Sequence, residues 1–138
     1  MRLLIVEDDT VLLSTMVLAI RSWGYSVDTA HTGIDSLQKI RKKLFDMILL
    51  DIFLPDSMGH ELIPEFKMFR PNIRIITMTG YNSRDLEREV RKQGIIYYML
   101  KPFKNGHLKE ILDHTKMMMK TEHLNMEVSR NEKEIARF

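Results

Sequence analysis

Four short runs of apolar residues recur along the chain, and a polar side chain directly follows each of them. The runs are Leu3 to Val6, Met47 to Leu50, Ile73 to Met78 and Ile95 to Leu100. The polar residues that follow them are Glu7 and Asp8, Asp51, Thr79 and Lys101. Arg74 interrupts the third run. Because the runs are otherwise apolar at nearly all successive positions, they predict strands that are buried on both faces, as in a parallel sheet.

Between the runs, apolar residues recur at spacings of three and four, which is typical of amphipathic helices. The first such segment predicts a helix over about residues 10–23, with Asp9 or Thr10 as its cap and Gly24 as its stop signal. Three more helices are predicted by Ile34, Leu37, Ile40 and Leu44, by Leu62, Ile63, Phe66 and Phe69, and by Leu86 and Val90 after Ser83. A short strand, Tyr25 to Ala30, precedes the second helix. The repeated β-α alternation predicts an α/β fold with a doubly wound parallel sheet.

The composition is that of one globular domain with an appendage. The 138 residues are 44% hydrophobic and 29% charged. The net charge of +2 is too small to attract the whole molecule strongly to nucleic acid or to a membrane. The sequence contains no cysteine, which excludes disulfides and thiolate metal sites within it. No apolar segment reaches the roughly 20 residues that a spanning helix requires. We therefore expect a cytoplasmic protein that binds neither nucleic acid directly nor a membrane.

The polar residues at the strand ends predict a single site. In an open parallel sheet, the carboxyl ends of the strands share one edge, and ligands bind where the strand order reverses. The carboxylates of Glu7, Asp8 and Asp51 would repel one another there unless they hold a cation, and an all-oxygen site suits Mg²⁺. A carboxylate beside such a cation can attack phosphorus and form an aspartyl phosphate. The Thr79 hydroxyl and the Lys101 ammonium would then bind phosphoryl oxygens.

Four segments of the sequence carry a resemblance to a known family. They are Leu4 to Asp9, Leu49 to Asp51 with Leu54, Pro55 and Gly59, Met78 to Gly80, and Tyr98 to Phe103. With these segments in this order, the chain resembles the receiver domains of two-component response regulators. The resemblance implies a flavodoxin-like (βα)5 fold with strand order 2-1-3-4-5 and an extended C-terminal helix. We expect a receiver domain over residues 1–117 and a helical extension or linker over residues 118–138.

The resemblance also implies a role for each site residue. Asp51 would accept the phosphoryl group, assisted by Thr79 and Lys101. The metal ligands would be Asp8, Asp51, the backbone carbonyl of Phe53 and, through a water molecule, Glu7. The chain would be a signalling switch and not a metabolic enzyme. It would take the phosphoryl group from a sensor histidine kinase or a phosphotransfer protein by self-catalysed transfer, and it would hydrolyse the acyl phosphate slowly.

A switch pair is implied as well. The hydroxyl of Thr79 would move toward the phosphoryl group, and the ring of Tyr98 would turn inward to fill the space. The readout would be the face of the fourth helix, the fifth strand and the fifth helix, which is also a possible homodimer interface. Pro102 would hold the preceding peptide bond in cis, as it does in the family.

Two features depart from the pattern of the family. A glycine usually follows the proline of the loop after the phosphoacceptor, but Asp56 follows Pro55 here, so we expect a stiffer or differently shaped loop. Phe53 and Tyr81, each two residues beyond a site residue, are both aromatic. We hypothesise that these two rings shield the acyl phosphate from water.

The fifth predicted helix begins after Gly106 and continues into a heptad pattern, which we call the seam. The seam consists of Met117, Thr121, Leu124, Val128, Asn131, Ile135 and Phe138. β-Branched residues at the a positions and Asn131 at a d position are compatible with a dimeric coiled coil. In a parallel pair, however, Glu127 would face Glu132 of the partner subunit, which is unfavourable. A solvated helix or a linker is therefore an equal alternative to a homodimer.

Three other functions are consistent with parts of the pattern. An aspartate-nucleophile phosphohydrolase of the haloacid-dehalogenase-like kind needs a second acid two residues after the nucleophile, where this chain has Phe53. A flavin or nucleotide carrier shares the sheet topology, but no glycine-rich phosphate loop follows the first strand. A receiver used only for protein interaction would not need the complete set of acids and Lys101.

Overall fold

Residues 1–105 fold around a five-stranded parallel sheet in the structure, a computed structural model that describes residues 1–136. The strands are β1 (Arg2–Val6), β2 (Ser26–Ala30), β3 (Met47–Asp51), β4 (Arg74–Thr79) and β5 (Tyr97–Leu100). They are arranged in the order β2-β1-β3-β4-β5, and every neighbouring pair is parallel. The predicted flavodoxin-like fold is confirmed, and the strand order reverses between β1 and β3.

Helices connect the strands. They are α1 (Thr10–Ser22), α2 (Gly33–Lys42), α3 (Ile63–Phe69) and α4 (Arg84–Arg91), and a 3-10 helix, Gly59–Leu62, precedes α3. The carboxylate of Asp9 accepts hydrogen bonds from the amides of Val11 and Leu12, both at 3.1 Å, and so caps the start of α1 as predicted. Gly24 follows the end of α1 with a φ of +92°, a conformation that glycine adopts without strain.

Two strands begin later in the chain than the apolar runs that predict them. β4 begins at Arg74 instead of Ile73, and β5 begins at Tyr97 instead of Ile95. Backbone pairing nevertheless starts before β5, because the amide of Ile96 donates to the carbonyl of Ile75 at 2.9 Å. The apolar run before Lys101 therefore marks a paired segment that begins before the regular strand.

One hydrophobic cluster lies between the sheet and two of the helices. It includes Leu4, Val6, Ile48, Leu50 and Ile75 of the strands, Ile40 of α2, and Ile63 and Phe66 of α3. Since side chains alternate between the faces of a strand, these strand residues share one face. Two residues of the predicted second helix lie outside the core, because Ile34 is 63% and Leu44 is 67% exposed. Leu44 follows the end of α2, which explains its exposure.

α4 is held largely by polar contacts. Among its eight residues, all of which the structure describes, only Val90 is buried. The hydroxyl of Ser83 caps its first turn, as predicted. Just beyond its end, the ammonium of Lys67 in α3 donates to the carbonyls of Gln93 and Gly94 at 2.7 and 2.9 Å. These bonds hold the turn that follows α4 against α3.

The second compact unit begins at Gly106 and consists of most of α5 (Asn105–Ile135). Its buried residues are Leu108, Ile111, Leu112 and Thr115. The described residues after Lys116 are almost all exposed. Phe138 of the seam lies outside the described residues, and the predicted domain boundary after residue 117 stays a prediction. Among the described helices, none is both long enough and apolar enough to cross a membrane.

Candidate functional site

The register of the parallel strands brings polar residues to one edge of the sheet. Pairing of β1 with β3 aligns Glu7, which follows β1, with Asp51 at the end of β3. Pairing of β4 with β5 places Lys101 one position beyond the partner of Thr79. The amide of Lys101 also donates to the carbonyl of Thr79 at 2.8 Å. The strand ends therefore explain why residues far apart in the chain meet at this edge.

Three carboxylates form a group that fits a divalent cation. Glu7, Asp8 and Asp51 each offer one oxygen, and these oxygens lie within 4.8 Å of one another. Glu7 and Asp51 are only 1% and 5% exposed, whereas Asp8 is exposed to solvent. The group thus has an enclosed side and an open side. Oxygen ligands with an open side fit Mg²⁺, which keeps several water molecules when it binds to proteins.

The ammonium of Lys101 provides the positive charge beside the two buried carboxylates. Its Nζ lies 2.5 Å from Oε2 of Glu7 and 3.0 Å from Oδ2 of Asp51. The second oxygen of each carboxylate accepts an amide at 3.1 Å, from Asp9 in the case of Glu7 and from Phe53 in the case of Asp51. Both buried carboxylates are therefore hydrogen-bonded through both oxygens, which offsets part of the desolvation of their charges.

Burial alters the acidity of this group. The pKa of Glu7 is raised to about 7, mainly because burial removes water from its carboxylate. The hydrogen bond from Lys101 lowers this pKa, whereas the nearby charge of Asp51 raises it further. Desolvation lowers the pKa of Lys101, but its hydrogen bonds and charge interactions with Glu7 and Asp51 are stronger together and raise it overall. Lys101 is therefore charged at neutral pH, whereas Glu7 exchanges its proton readily in this range.

The two predicted switch residues lie in different surroundings. Thr79 is buried at the end of β4, and its hydroxyl oxygen accepts the amide of Tyr81 at 3.1 Å, which leaves the hydroxyl hydrogen available. The hydroxyl of Tyr98 is buried without a hydrogen-bond partner among the described residues, and the guanidinium of Arg91 in α4 lies 5.9 Å from the ring centroid. Desolvation raises the pKa of Tyr98, and the charge of Glu87 adds to this effect. The ring of Tyr98 thus lies beside Arg91 of α4.

Phe53 and Tyr81 form an aromatic pair. Their rings meet edge to face, with centroids 6.1 Å apart and an interplanar angle of 86°. Together with Gly80 they line a cavity of about 410 Å³. Phe53 and Tyr81 are 43% and 60% exposed, so their rings form an apolar surface that a partner or a ligand can reach.

The peptide bond between Lys101 and Pro102 is cis.

Two residues that the sequence analysis did not single out for the site make unexpected contacts. The carboxylate of Asp56 accepts hydrogen bonds from the amides of Gly33 and Ile34, at 2.8 and 3.0 Å. His60 is buried, with Nε2 3.6 Å from Oε1 of Glu89 and with no hydrogen-bond partner for Nδ1 in the described part of the chain. Neither contact has a local sequence signal, because Asp56 resembles any turn residue and the partners are distant in the chain.

Known proteins resemble this chain in sequence. Residues 3–113 match the family described as the response regulator receiver domain. The transcriptional regulatory protein ZraR of Klebsiella oxytoca is 36% identical over 119 residues, which cover 83% of this chain and 27% of that protein. The chain thus spans about a quarter of the length of the ZraR relatives that it matches.

Solved structures agree with the match to the family. A CheY-like response regulator receiver domain from Methanospirillum hungatei JF-1 has a TM-score of 0.80 and 33% identity, with coverage of 87% of this chain and 97% of that chain. The beryllofluoride-activated NtrC4 receiver domain dimer has a TM-score of 0.79 and 30% identity, with coverage of 83% and 94%. Since fold, acidic group and family match coincide, the chain belongs to the family of response regulator receiver domains, which are phosphoacceptor signalling switches.

Proposed function

We propose that Asp51 is the phosphoacceptor and that a sensor histidine kinase or a phosphotransfer protein is the donor. The observation that carries this proposal is the meeting of Asp51 with two further carboxylates and the Lys101 ammonium at the end of β3. Bonds from Lys101 and from the Phe53 amide orient the Asp51 carboxylate before a donor arrives. In the transfer, an oxygen of Asp51 bonds to phosphorus while the bond from phosphorus to the donor histidine nitrogen breaks, and the released imidazole takes up a proton.

The same proposal assigns the Mg²⁺ ligands. Asp8, Asp51 and the backbone carbonyl of Phe53 would bind the cation directly, and Glu7 would bind it through a water molecule. Bound Mg²⁺ supplies positive charge that reduces the repulsion between the phosphoryl oxygens and the attacking carboxylate. The 4.8 Å grouping of the three carboxylates and the exposure of Asp8 support this assignment.

We assign the phosphoryl oxygens two further partners in the protein. The Thr79 hydroxyl would donate to one of them, since its oxygen already accepts from Tyr81 and its hydrogen is available. The Lys101 ammonium would pair with another. Movement of Thr79 would allow the ring of Tyr98 to turn, and Arg91 would pass this change to α4. Slow self-catalysed hydrolysis of the acyl phosphate would return the domain to its resting state.

The phosphohydrolase alternative has no support. Phe53 stands where that class of enzyme needs a second acid, and its amide binds Asp51 instead. The match to receiver domains extends over residues 3–113, which includes every residue of the proposed site. A receiver domain uses the acyl phosphate as a signal, so rapid turnover of phosphomonoesters is not expected.

Incubation with Mg²⁺ and acetyl phosphate, followed by intact mass spectrometry, tests the assignment of Asp51. Wild type should gain one phosphoryl group, Asp51→Asn should gain none, and excess EDTA should abolish the gain in wild type. Asp85→Asn, a change in the first turn of α4, is the matched control and should be labelled like wild type. Labelling of Asp51→Asn to the level of wild type would contradict the proposal.

A homodimer is a second proposal, and the exposed seam of α5 favours it. Met117, Leu124, Val128 and Ile135 are between 55% and 73% exposed, which is unusual for four apolar side chains at heptad spacing on one helix. A second copy of the chain would cover them. The receiver domain of NtrC4 has been solved as a dimer.

A further inference from the structure

The loop between β3 and the 3-10 helix is closed at its base. Phe53 and Met58 pair in an isolated antiparallel bridge, and the amide of Gly59 donates to the carbonyl of Ile52 at 2.6 Å. Gly59 also lies against β3 so closely that a Cβ atom there would be 2.1 Å from the carbonyl oxygen of Asp51. The base of the loop is therefore fixed to the strand that carries the proposed phosphoacceptor.

The tip of the same loop is hydrogen-bonded to the start of α2. Oδ1 of Asp56 accepts the amide of Gly33 at 2.8 Å, and Oδ2 accepts the amide of Ile34 at 3.0 Å. Gly33 and Ile34 are the first two residues of α2, whose amides have no partner within the helix. The positive end of the helix dipole also favours a carboxylate at this place. These two hydrogen bonds lower the pKa of Asp56, so it is ionised at neutral pH.

The approach of the loop to α2 depends on a glycine. A Cβ atom at Gly33 would lie 2.5 Å from Oγ of Ser57 and 2.9 Å from Cδ1 of Leu62. Any larger residue at this position would push these side chains away. The other first-turn amide of α2, that of Asp35, binds the hydroxyl of Thr32 at 3.0 Å and is independent of the loop. The chain thus has one cap of α2 that restrains the loop and one that does not.

We propose that Asp56 is a positioning residue for the metal site. By binding the first two amides of α2, it restrains the loop whose base includes Phe53, the residue whose carbonyl the proposed function takes as a ligand. The carbonyl is therefore in place before a cation binds, and the protein loses less conformational entropy on binding. This inference rests on the proposed function, because it takes the Phe53 carbonyl as a ligand of Mg²⁺.

Calorimetric titration of the unphosphorylated protein with Mg²⁺ alone tests the role of Asp56. In Asp56→Ala the Kd for Mg²⁺ should rise about tenfold, the lower end of what the loss of an outer-shell partner causes. Asp56→Asn keeps one acceptor oxygen, so its Kd should rise less, and this variant carries the test if Asp56→Ala does not fold. Thr32→Ala removes the other cap of α2 and should lower the melting temperature without changing the Kd.

Phosphorylation by acetyl phosphate gives a second readout. For Asp56→Ala, the Mg²⁺ concentration at half-maximal labelling rate should rise by the same factor, while the rate at saturating Mg²⁺ stays that of wild type. A Kd equal to that of wild type in Asp56→Ala, or an equal rise in Thr32→Ala, would overturn the inference alone. Wild-type protein that does not bind Mg²⁺ would overturn the proposed metal site and this inference with it.

Discussion

Glu7 and Lys101 form an ion pair of 2.5 Å although they lie 94 positions apart in the sequence. Glu7 is almost fully buried, and the side chain of Lys101 is only 20% exposed. Removal of one partner from such a pair leaves an uncompensated buried charge, which is strongly destabilising. Lys101 also donates a hydrogen bond to Asp51, so a single ammonium pairs with both buried carboxylates.

Substitution of this lysine should separate stability from function. In Lys101→Met we expect the acetyl phosphate labelling rate to fall about 100-fold, as on loss of one charged donor to a transition state. Glu7 would take up a proton and so limit the loss of stability. Lys104→Met, a change at an exposed lysine, is the control. A labelling rate for Lys101→Met within a factor of two of wild type would argue against the proposed role.

The aromatic pair should set the lifetime of the acyl phosphate. In Phe53→Asn and in Tyr81→Asn, water would reach the phosphoryl group more easily, and we expect hydrolysis about fivefold faster, which corresponds to about 1 kcal/mol. The measurement is the loss of the phosphoryl group over time by intact mass. Phe69→Asn changes an aromatic residue at the end of α3 and should not affect the lifetime. Unchanged half-lives in both site variants would refute the shielding hypothesis.

The ammonium of Lys67 should stabilise the end of α4. Lys67→Met removes its bonds to the carbonyls of Gln93 and Gly94, and we expect the free energy of unfolding to fall by about 1 kcal/mol. Hydrogen exchange of the α4 amides should become faster in the same variant. Lys92→Met, in which a neighbouring exposed lysine is changed, should resemble wild type in both measurements. Equal exchange rates in all three proteins would show that the contact adds no stability.

The seam should determine the oligomeric state. We expect sedimentation equilibrium to give a dimer for the full chain and a monomer for a version that ends at Met117. Leu124→Asp places a charge in the seam and should give a monomer. Met126→Asp places the same charge at an exposed position outside the seam and should leave the dimer intact. A monomeric full chain would contradict the proposal, as would dissociation by both substitutions.

Much of the fold could be predicted because it depends on local pattern. The apolar run before Asp51 predicts β3, Asp9 and Ser83 have the short polar side chains that cap helices, and Gly24 supplies a positive φ. The ends of the helices and strands do not follow from the same patterns. Leu44 continues the apolar spacing of α2, but the helix ends at Lys42, since periodicity does not report where a helix stops.

The contacts of the site were predictable only in part. Parallel pairing requires Glu7 and Asp51 to lie at the same edge, and this follows from the order of the strands. The hydrogen bonds between Asp56 and the start of α2 do not follow from any pattern in the sequence, because they depend on how closely a loop approaches a helix. The burial of His60 cannot be predicted from the sequence either, since the 3-10 helix that contains it has no apolar repeat of its own.

The single buried residue of α4 has a thermodynamic consequence. Complete burial of one valine contributes only about 1.5–3 kcal/mol, so displacement of this helix uncovers little apolar surface. Its polar contacts can be exchanged for water or for new partners without opening a large void. On the proposed function, one or two charge-assisted hydrogen bonds, about 1.5–3 kcal/mol each, would therefore be enough to favour a second position of α4. If Asp51 is the phosphoacceptor, a phosphoryl group at the end of β3 would supply bonds of this strength.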